Sequence, residues 1–127
     1  MSSNPLALLA WIGEKFLEWP ENHVSVDEVL TGVTLYWFTD SFPRCSYTYR
    51  DTFLVKPPFS QPFNDKPFGY SWFMHELAPR PKKVVEKKGR LVFYRQHENG
   101  GHFVALERPV EFLQDIEDFM DVVLKEH

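Results

Sequence analysis

A histidine that follows two glycines is the strongest candidate for a reactive group in this 127-residue chain. Gly100 and Gly101 directly precede His102, and a short apolar run follows it. Adjacent glycines let the backbone adopt angles that other residues avoid, so the next side chain can point out of a tight loop. An imidazole held in this way can act as a base if another group fixes its orientation. The alternative interpretation is a purely structural loop histidine.

Glu76 is the carboxylate that the sequence places near this histidine. It comes just after an apolar strand predicted over residues 68–73, and His102 comes just after a second strand predicted over residues 90–95. The carboxyl ends of adjacent parallel strands meet at one edge of a sheet. Glu76 is therefore expected to bind one ring nitrogen of His102 and leave the other free as a base. Alternatively, Glu76 only caps the helix predicted after it.

The first part of the chain is predicted to be helical. Pro5 begins a helix whose apolar residues recur every three or four positions until Pro20 stops the pattern. Ser25 and Glu28 form a capping-box pattern at the start of a second helix. A third, short helix is expected over about residues 43–51.

A proline-rich stretch divides the chain in two. Residues 55–67 contain four prolines and are predicted to be an irregular junction, because proline interrupts both helices and central strands. Residues 1–55 then form a helical segment, and residues 56–127 read as strand, basic helix, strand, loop and a last helix with an apolar stripe. Two parallel strands are too few for an independent sheet. The predicted fold class is therefore α/β, with residues 56–127 as part of a larger parallel sheet.

Composition and charge argue against several classes of function. The net charge of −4 disfavours binding to nucleic acid, and no run approaches the roughly 20 apolar residues of a membrane span. The single cysteine, Cys45, and a start without a basic signal-peptide region indicate the cytoplasm. No His, Cys or carboxylate spacing predicts a metal site, and no cofactor is predicted. His75 and His97 are expected at the surface.

Four stretches together are similar to the epoxide hydrolases of the α/β-hydrolase superfamily, in particular the microsomal and fungal type. They are "LLAWIGEKF", "LYWFTDSFPR", "KPFGYSWFMHELAP" and "GGHFVALERP". The resemblance runs from about Pro5 to Leu124 and covers the C-terminal half of such an enzyme. It implies that residues 1–55 are a helical cap segment and residues 56–127 the C-terminal part of the α/β-hydrolase core.

The resemblance also implies a mechanism. In that family an Asp attacks an oxirane carbon to give an alkyl ester, and a histidine backed by a carboxylate activates the water that hydrolyses the ester to a vicinal diol. Tyrosines of the cap protonate the oxirane oxygen. Carried over by position, His102 is the base, Glu76 the supporting acid and Tyr49 the second cap tyrosine. Tyr47, two residues earlier, leaves the assignment of that tyrosine open.

The nucleophile of the family has no counterpart among the aspartates of this chain. The family's nucleophilic Asp stands in a glycine-flanked turn between a strand and a helix. The aspartates here instead read as helix, cap or turn residues: Asp27, Asp40, Asp51, Asp65, Asp115, Asp118 and Asp121. The chain is therefore expected to be inactive alone, because it lacks the half that bears the nucleophile.

Three functions remain open at this point. The first is hydrolysis of a small hydrophobic epoxide, in xenobiotic or secondary metabolism, once the missing half completes the site. The second is a non-catalytic interaction protein or pseudoenzyme derived from an epoxide hydrolase, because the unfinished sheet would expose apolar surface and favour self-association or pairing with an N-terminal half. The third is a different esterase-like hydrolase, which needs the same nucleophile.

Overall fold

The computed structural model describes residues 4–45, 47–49 and 63–125. In chain order the elements are α1 (Pro5–Glu18), α2 (Val26–Thr39), α3 (Phe42–Cys45), β1 (Asn64–Phe73), α4 (Lys82–Val85), β2 (Gly89–His97), α5 (Val104–Glu107) and α6 (Pro109–Lys125). Residues 47–49 are also helical, and a single 3-10 turn, Glu86–Lys88, joins α4 to β2. The chain forms two compact units, and the second unit takes in Trp19–Asn22 as well as the chain from Ser60 onward.

The helical unit is built on α1 and α2. Asn4 accepts hydrogen bonds from the backbone N–H groups of Leu6 and Ala7 at the start of α1. The predicted capping box at the start of α2 is confirmed, since the Ser25 hydroxyl accepts from the Glu28 N–H and the Glu28 carboxylate accepts from the Ser25 N–H. The two helices bury a common apolar core with α3, formed by Leu8, Ile12, Val29, Val33 and Phe42.

The second unit contains a two-stranded parallel sheet, in which Phe73 at the end of β1 lies opposite His97 at the end of β2. Both strands are longer than predicted. The prediction of an irregular junction over residues 55–67 is wrong for residues 64–67, which begin β1, and residues 55–62 lie outside the described ranges.

Local irregularity explains how Pro67 is accommodated in a strand. Asn64 pairs with Gly89 and Pro67 pairs with Arg90, so β1 has two more residues than β2 over this interval. The Asn64 side-chain oxygen accepts from the Lys66 N–H within the irregular stretch. A bulge tolerates a residue that lacks an N–H donor, so the proline marks an irregularity inside the strand.

The last helix, α6, has the predicted apolar stripe, but part of that stripe is exposed. Its partly buried residues include Phe112 and Phe119, whereas five other apolar side chains are exposed: Val110, Leu113, Ile116, Met120 and Leu124. Its one buried residue is an acid, Asp115. Among the described helices, none has both the length and the apolar character that a membrane span requires.

Candidate functional site

The structure places His102 and Glu76 in direct contact. The ring Nδ1 of His102 lies 2.7 Å from Oε1 of Glu76. Glu76 follows the end of β1 by three residues, and His102 follows the end of β2 by five, so the two side chains come from adjacent strand ends. The proposition that these two groups are neighbours on side-by-side parallel strands is therefore correct.

The geometry leaves one ring nitrogen of His102 available. When Nδ1 donates its proton to Glu76, Nε2 carries the free lone pair of a base. Across residues 4–45, 47–49 and 63–125 no hydrogen bond is made to Nε2. The side chains of His102 and Glu76 are about one-third exposed, at 35% and 33%. Glu76 Oε1 also accepts from the Leu77 N–H, which fixes the carboxylate in place.

The glycine pair is required by close packing as well as by backbone geometry. Gly100 has φ 105°, in the left-handed region that favours glycine. A Cβ on Gly100 would lie 2.6 Å from Cδ1 of Phe73, and a Cβ on Gly101 would lie 2.5 Å from the backbone nitrogen of Glu21. The loop that carries His102 is therefore pressed against the end of β1 and against the segment Trp19–Asn22.

Two glutamates that the sequence did not single out hold this loop. The Glu21 carboxylate accepts from the Gly100 N–H, and the Glu107 carboxylate accepts from the Gly101 and Phe103 N–H groups. The hydrogen bond from the Gly100 N–H is the main cause that lowers the pKa of Glu21 below its ordinary value, and the Arg108 guanidinium adds to it. Glu107 belongs to the string "GGHFVALERP", but a glutamate in a short helix gives no sequence signal for a loop contact.

A second polar cluster lies beside the strand ends. Asp115 on α6, only 2% exposed, accepts from Arg95 at 2.8 Å and lies 2.7 Å from Nε2 of His97. The His97 ring stacks on Phe73, with ring centroids 4.4 Å apart. Arg95 also binds Asp118, and the two carboxylates raise the pKa of the guanidinium. His97 was expected at the surface, but its side chain is only 17% exposed because Asp115 and Phe73 enclose it.

Tyr49 lies in the helical unit, and its side chain is 40% exposed. Its ring makes an edge-on contact with Trp11, with centroids 6.0 Å apart. Tyr47 is also exposed, at 56%. Neither tyrosine belongs to the unit that carries His102 and Glu76.

A cleft in the second unit lies close to the histidine without including it in its lining. It has a volume of about 340 Å³, lies between the sheet and α6, and is lined by Glu76 and Gly101 together with aromatic side chains such as Phe73 and Phe119. His102 is not part of its lining. Within the described ranges, no three His, Cys, Asp or Glu side chains are grouped as metal ligands would be.

Known proteins that are similar to this chain in sequence carry the name epoxide hydrolase. The chain is 42% identical over 124 residues to a protein from Dothistroma septosporum whose name classes it with the epoxide hydrolases, covering 96% of this chain and 29% of that protein. It is 30% identical to "Epoxide hydrolase 1" of Sus scrofa, covering 97% of this chain and 31% of that protein. No family model matches the chain.

Solved structures agree with the sequence relatives. The epoxide hydrolase of Aspergillus niger matches with a TM-score of 0.82 and 47% identity, over 94% of this chain and 31% of that one. The juvenile hormone epoxide hydrolase of the silkworm Bombyx mori matches with a TM-score of 0.70 and 28% identity, over 95% of this chain and 36% of that one. The chain thus spans about 30% of the length of these relatives.

Proposed function

Because this chain is homologous to a C-terminal part of the epoxide hydrolases of the α/β-hydrolase superfamily, we propose that it supplies the water-activating half of an epoxide hydrolase site. The observation that supports this proposal is the contact of 2.7 Å between His102 and Glu76 at the ends of two parallel strands. His102 Nε2 takes a proton from water, and Glu76 stabilises the imidazolium that forms. The nucleophilic Asp comes from sequence that corresponds to the remaining part of the relatives.

The proposed reaction has two steps. The Asp carboxylate opens the oxirane of a small hydrophobic epoxide, which gives an alkyl ester and an alkoxide that takes a proton from Tyr49. Water activated by His102 then attacks the ester, so the C–O bond of the ester breaks and a vicinal diol leaves. The support for Tyr49 is its position in the resemblance and its exposed side chain. A reducing, cytoplasmic setting is part of the proposal and is supported by the single thiol, Cys45.

The test uses the full chain, alone and mixed with the complementary N-terminal part of the Aspergillus niger enzyme. We expect the mixture to turn over a simple aryl oxirane. With His102→Gln we expect the alkyl ester to form once and then persist, with diol release slowed by roughly 10⁴- to 10⁶-fold. Mass spectrometry detects the ester and chromatography measures the diol. Diol release by the His102→Gln mixture at the rate of the unsubstituted mixture would refute the proposal.

A non-catalytic interaction protein is the second candidate function. The exposed apolar side chains of α6, among them Leu113 and Met120, support this candidate, because contiguous exposed apolar surface is typical of sites that bind another protein. A chain that forms a defined oligomer and stays inert with every complementary half would support this candidate over the first. Analytical ultracentrifugation of the chain, followed by the oxirane assay, separates the two.

A further inference from the structure

We propose that Glu21 and Glu107 are positioning residues for His102: their carboxylates together bind the backbone on both sides of the histidine and hold its ring against Glu76. The description of His102 as a base rests on the proposed function, whereas the geometry of the two carboxylates does not. We call this pair of side chains, Glu21 and Glu107, the carboxylate bracket.

Glu107 binds four backbone N–H groups with one carboxylate. Its Oε2 accepts from Glu21 at 2.7 Å, from Asn22 at 3.1 Å and from Gly101 at 3.1 Å. Its Oε1 accepts from Phe103 at 3.1 Å. A carboxylate has about four lone-pair positions, so this one is fully used. The residues before and after His102 are therefore bound by the same side chain.

Glu21 binds the other end of the loop and links it to the loop of Glu76. Its Oε2 accepts from the Gly100 N–H and lies 3.4 Å from Nη2 of Arg108. Its Oε1 lies 3.3 Å from Nε2 of His75, the residue directly before Glu76. The His75 N–H in turn donates to the Gly100 carbonyl. Both loops that must meet at the site thus contact Glu21.

Backbone contacts complete the support of the imidazole. The His102 N–H donates to the Trp19 carbonyl at 3.2 Å, and the Trp19 ring meets the His102 ring edge-on, with centroids 4.9 Å apart. Trp19 and Glu21 lie in the same short segment, which Glu107 binds through the N–H groups of Glu21 and Asn22. The bracket therefore fixes the loop and the aromatic wall beside the ring at the same time.

The two glutamates should respond differently to conversion into glutamine. An amide oxygen accepts, but an amide NH₂ only donates. In Glu107→Gln the NH₂ must face at least one of the four N–H donors, so a donor is left without an acceptor in every orientation. In Glu21→Gln the oxygen can still face Gly100, and the NH₂ can donate to Nε2 of a neutral His75. Glutamine is therefore expected to substitute for Glu21 and not for Glu107.

The experiment measures the intact 127-residue chain by NMR, without substrate. We compare Glu107→Gln, Glu21→Gln, Glu21→Ala and a control, Glu117→Gln, which changes an exposed carboxylate in the middle of α6. Amide hydrogen exchange is followed at Gly100, Gly101 and Phe103, with Tyr94 of β2 as the reference. The ring nitrogen spectrum of His102 reports which tautomer it holds.

We expect Glu107→Gln to accelerate exchange at Phe103, Gly101 or both by about tenfold or more, because a hydrogen bond to a charged acceptor is lost. We expect the His102 ring of the native chain to hold the Nδ1–H tautomer and that of Glu107→Gln to populate both tautomers, while Tyr94 stays protected. Glu21→Ala should accelerate amide exchange at Gly100, and Glu21→Gln should keep that exchange as slow as in the native chain. If Glu107→Gln unfolds the chain, amide exchange at Tyr94 becomes faster. In that case the comparison of Glu21→Ala with Glu21→Gln tests the bracket.

Unchanged exchange and an unchanged ring tautomer in Glu107→Gln would overturn the bracket, as would an equal effect of Glu117→Gln. These measurements are independent of catalysis. Suppose that the bracket variants behave as expected but the His102→Gln variant still releases diol with the complementary half. That outcome would refute the proposed function and leave the positioning role of the bracket intact. In an active mixture, loss of the bracket should slow ester hydrolysis, so that the ester accumulates, kcat and KM fall together and kcat/KM stays unchanged.

Discussion

At the scale of single residues, Gly100 combines a backbone angle and a packing distance that no other residue type can meet. We expect Gly100→Ala to destabilise the second unit by about 1–3 kcal/mol, because alanine would have to adopt a positive φ while its Cβ meets Phe73. Urea unfolding measures the change. As a control, Gly13→Ala in α1 places its Cβ at ordinary contact distances and is expected to stabilise its helix by about 0.5–1 kcal/mol. A Gly100→Ala variant as stable as the native chain would contradict the expectation.

The residues of the site that sequence reasoning found are those that carry a local signal. Glu76 and His102 each follow a predictable strand, and parallel strands bring their ends together, so their contact could be predicted. Glu21 could not be found in the same way. Its carboxylate accepts from the Gly100 N–H, 79 positions away along the chain, and a backbone N–H has no signature in the sequence.

At the scale of elements, α6 is attached to the strand ends through Asp115. We expect Asp115→Ala to lower the free energy of unfolding by about 2 kcal/mol, because Arg95 and the largely enclosed His97 lose the acceptor that they share. The loss is limited because the partly exposed Arg95 can bind water instead. Asp115→Asn keeps one acceptor oxygen and should lose less. Urea unfolding monitored by circular dichroism gives both values. If Asp115→Ala is as stable as the native chain, the contacts of Asp115 with Arg95 and His97 do not contribute to the free energy of unfolding.

The elements differ in how well the sequence predicts them. The start of α2 was predictable because the Ser25 and Glu28 side chains satisfy the helix end within four residues. The start of β1 was not, because four prolines over residues 55–67 are typical of an irregular segment and the bulge at Pro67 depends on pairing with β2. The burial of Asp115 was equally hidden, since an acid on an amphipathic helix normally faces water.

At the scale of the whole molecule, three carboxyl groups make the chain sensitive to acid. The pKa values of Glu21, Glu28 and Asp118 are lowered, mainly by the Gly100 N–H, the Ser25 hydroxyl and the Arg95 guanidinium respectively. A lowered pKa in the folded state gives stability that is present above the unfolded value, 4.5 for Glu and 3.8 for Asp, and is lost as the pH falls.

We therefore expect the urea midpoint to stay level above about pH 5 and to fall steadily from there to about pH 3. Because Glu28 lies in the helical unit and the other two groups lie in the second unit, Glu28→Gln should reduce the acid sensitivity of helical-unit signals only. Exchange of α2 amides and of β2 amides, measured across the same range, separates the units. A midpoint that is constant from neutral to acid pH would contradict the assignment of these three groups.

The chain separations between the contacting residues of the site predict an order of events in folding. Glu76 and His102 are only 26 positions apart, whereas Glu21 and Glu107 are separated by 86. Closing a loop costs entropy that rises slowly but steadily with its length, about 0.6 kcal/mol for each doubling. We therefore expect the imidazole and its carboxylate to come into contact early, when the two strands pair. The segment Trp19–Asn22 is expected to pack against them afterwards.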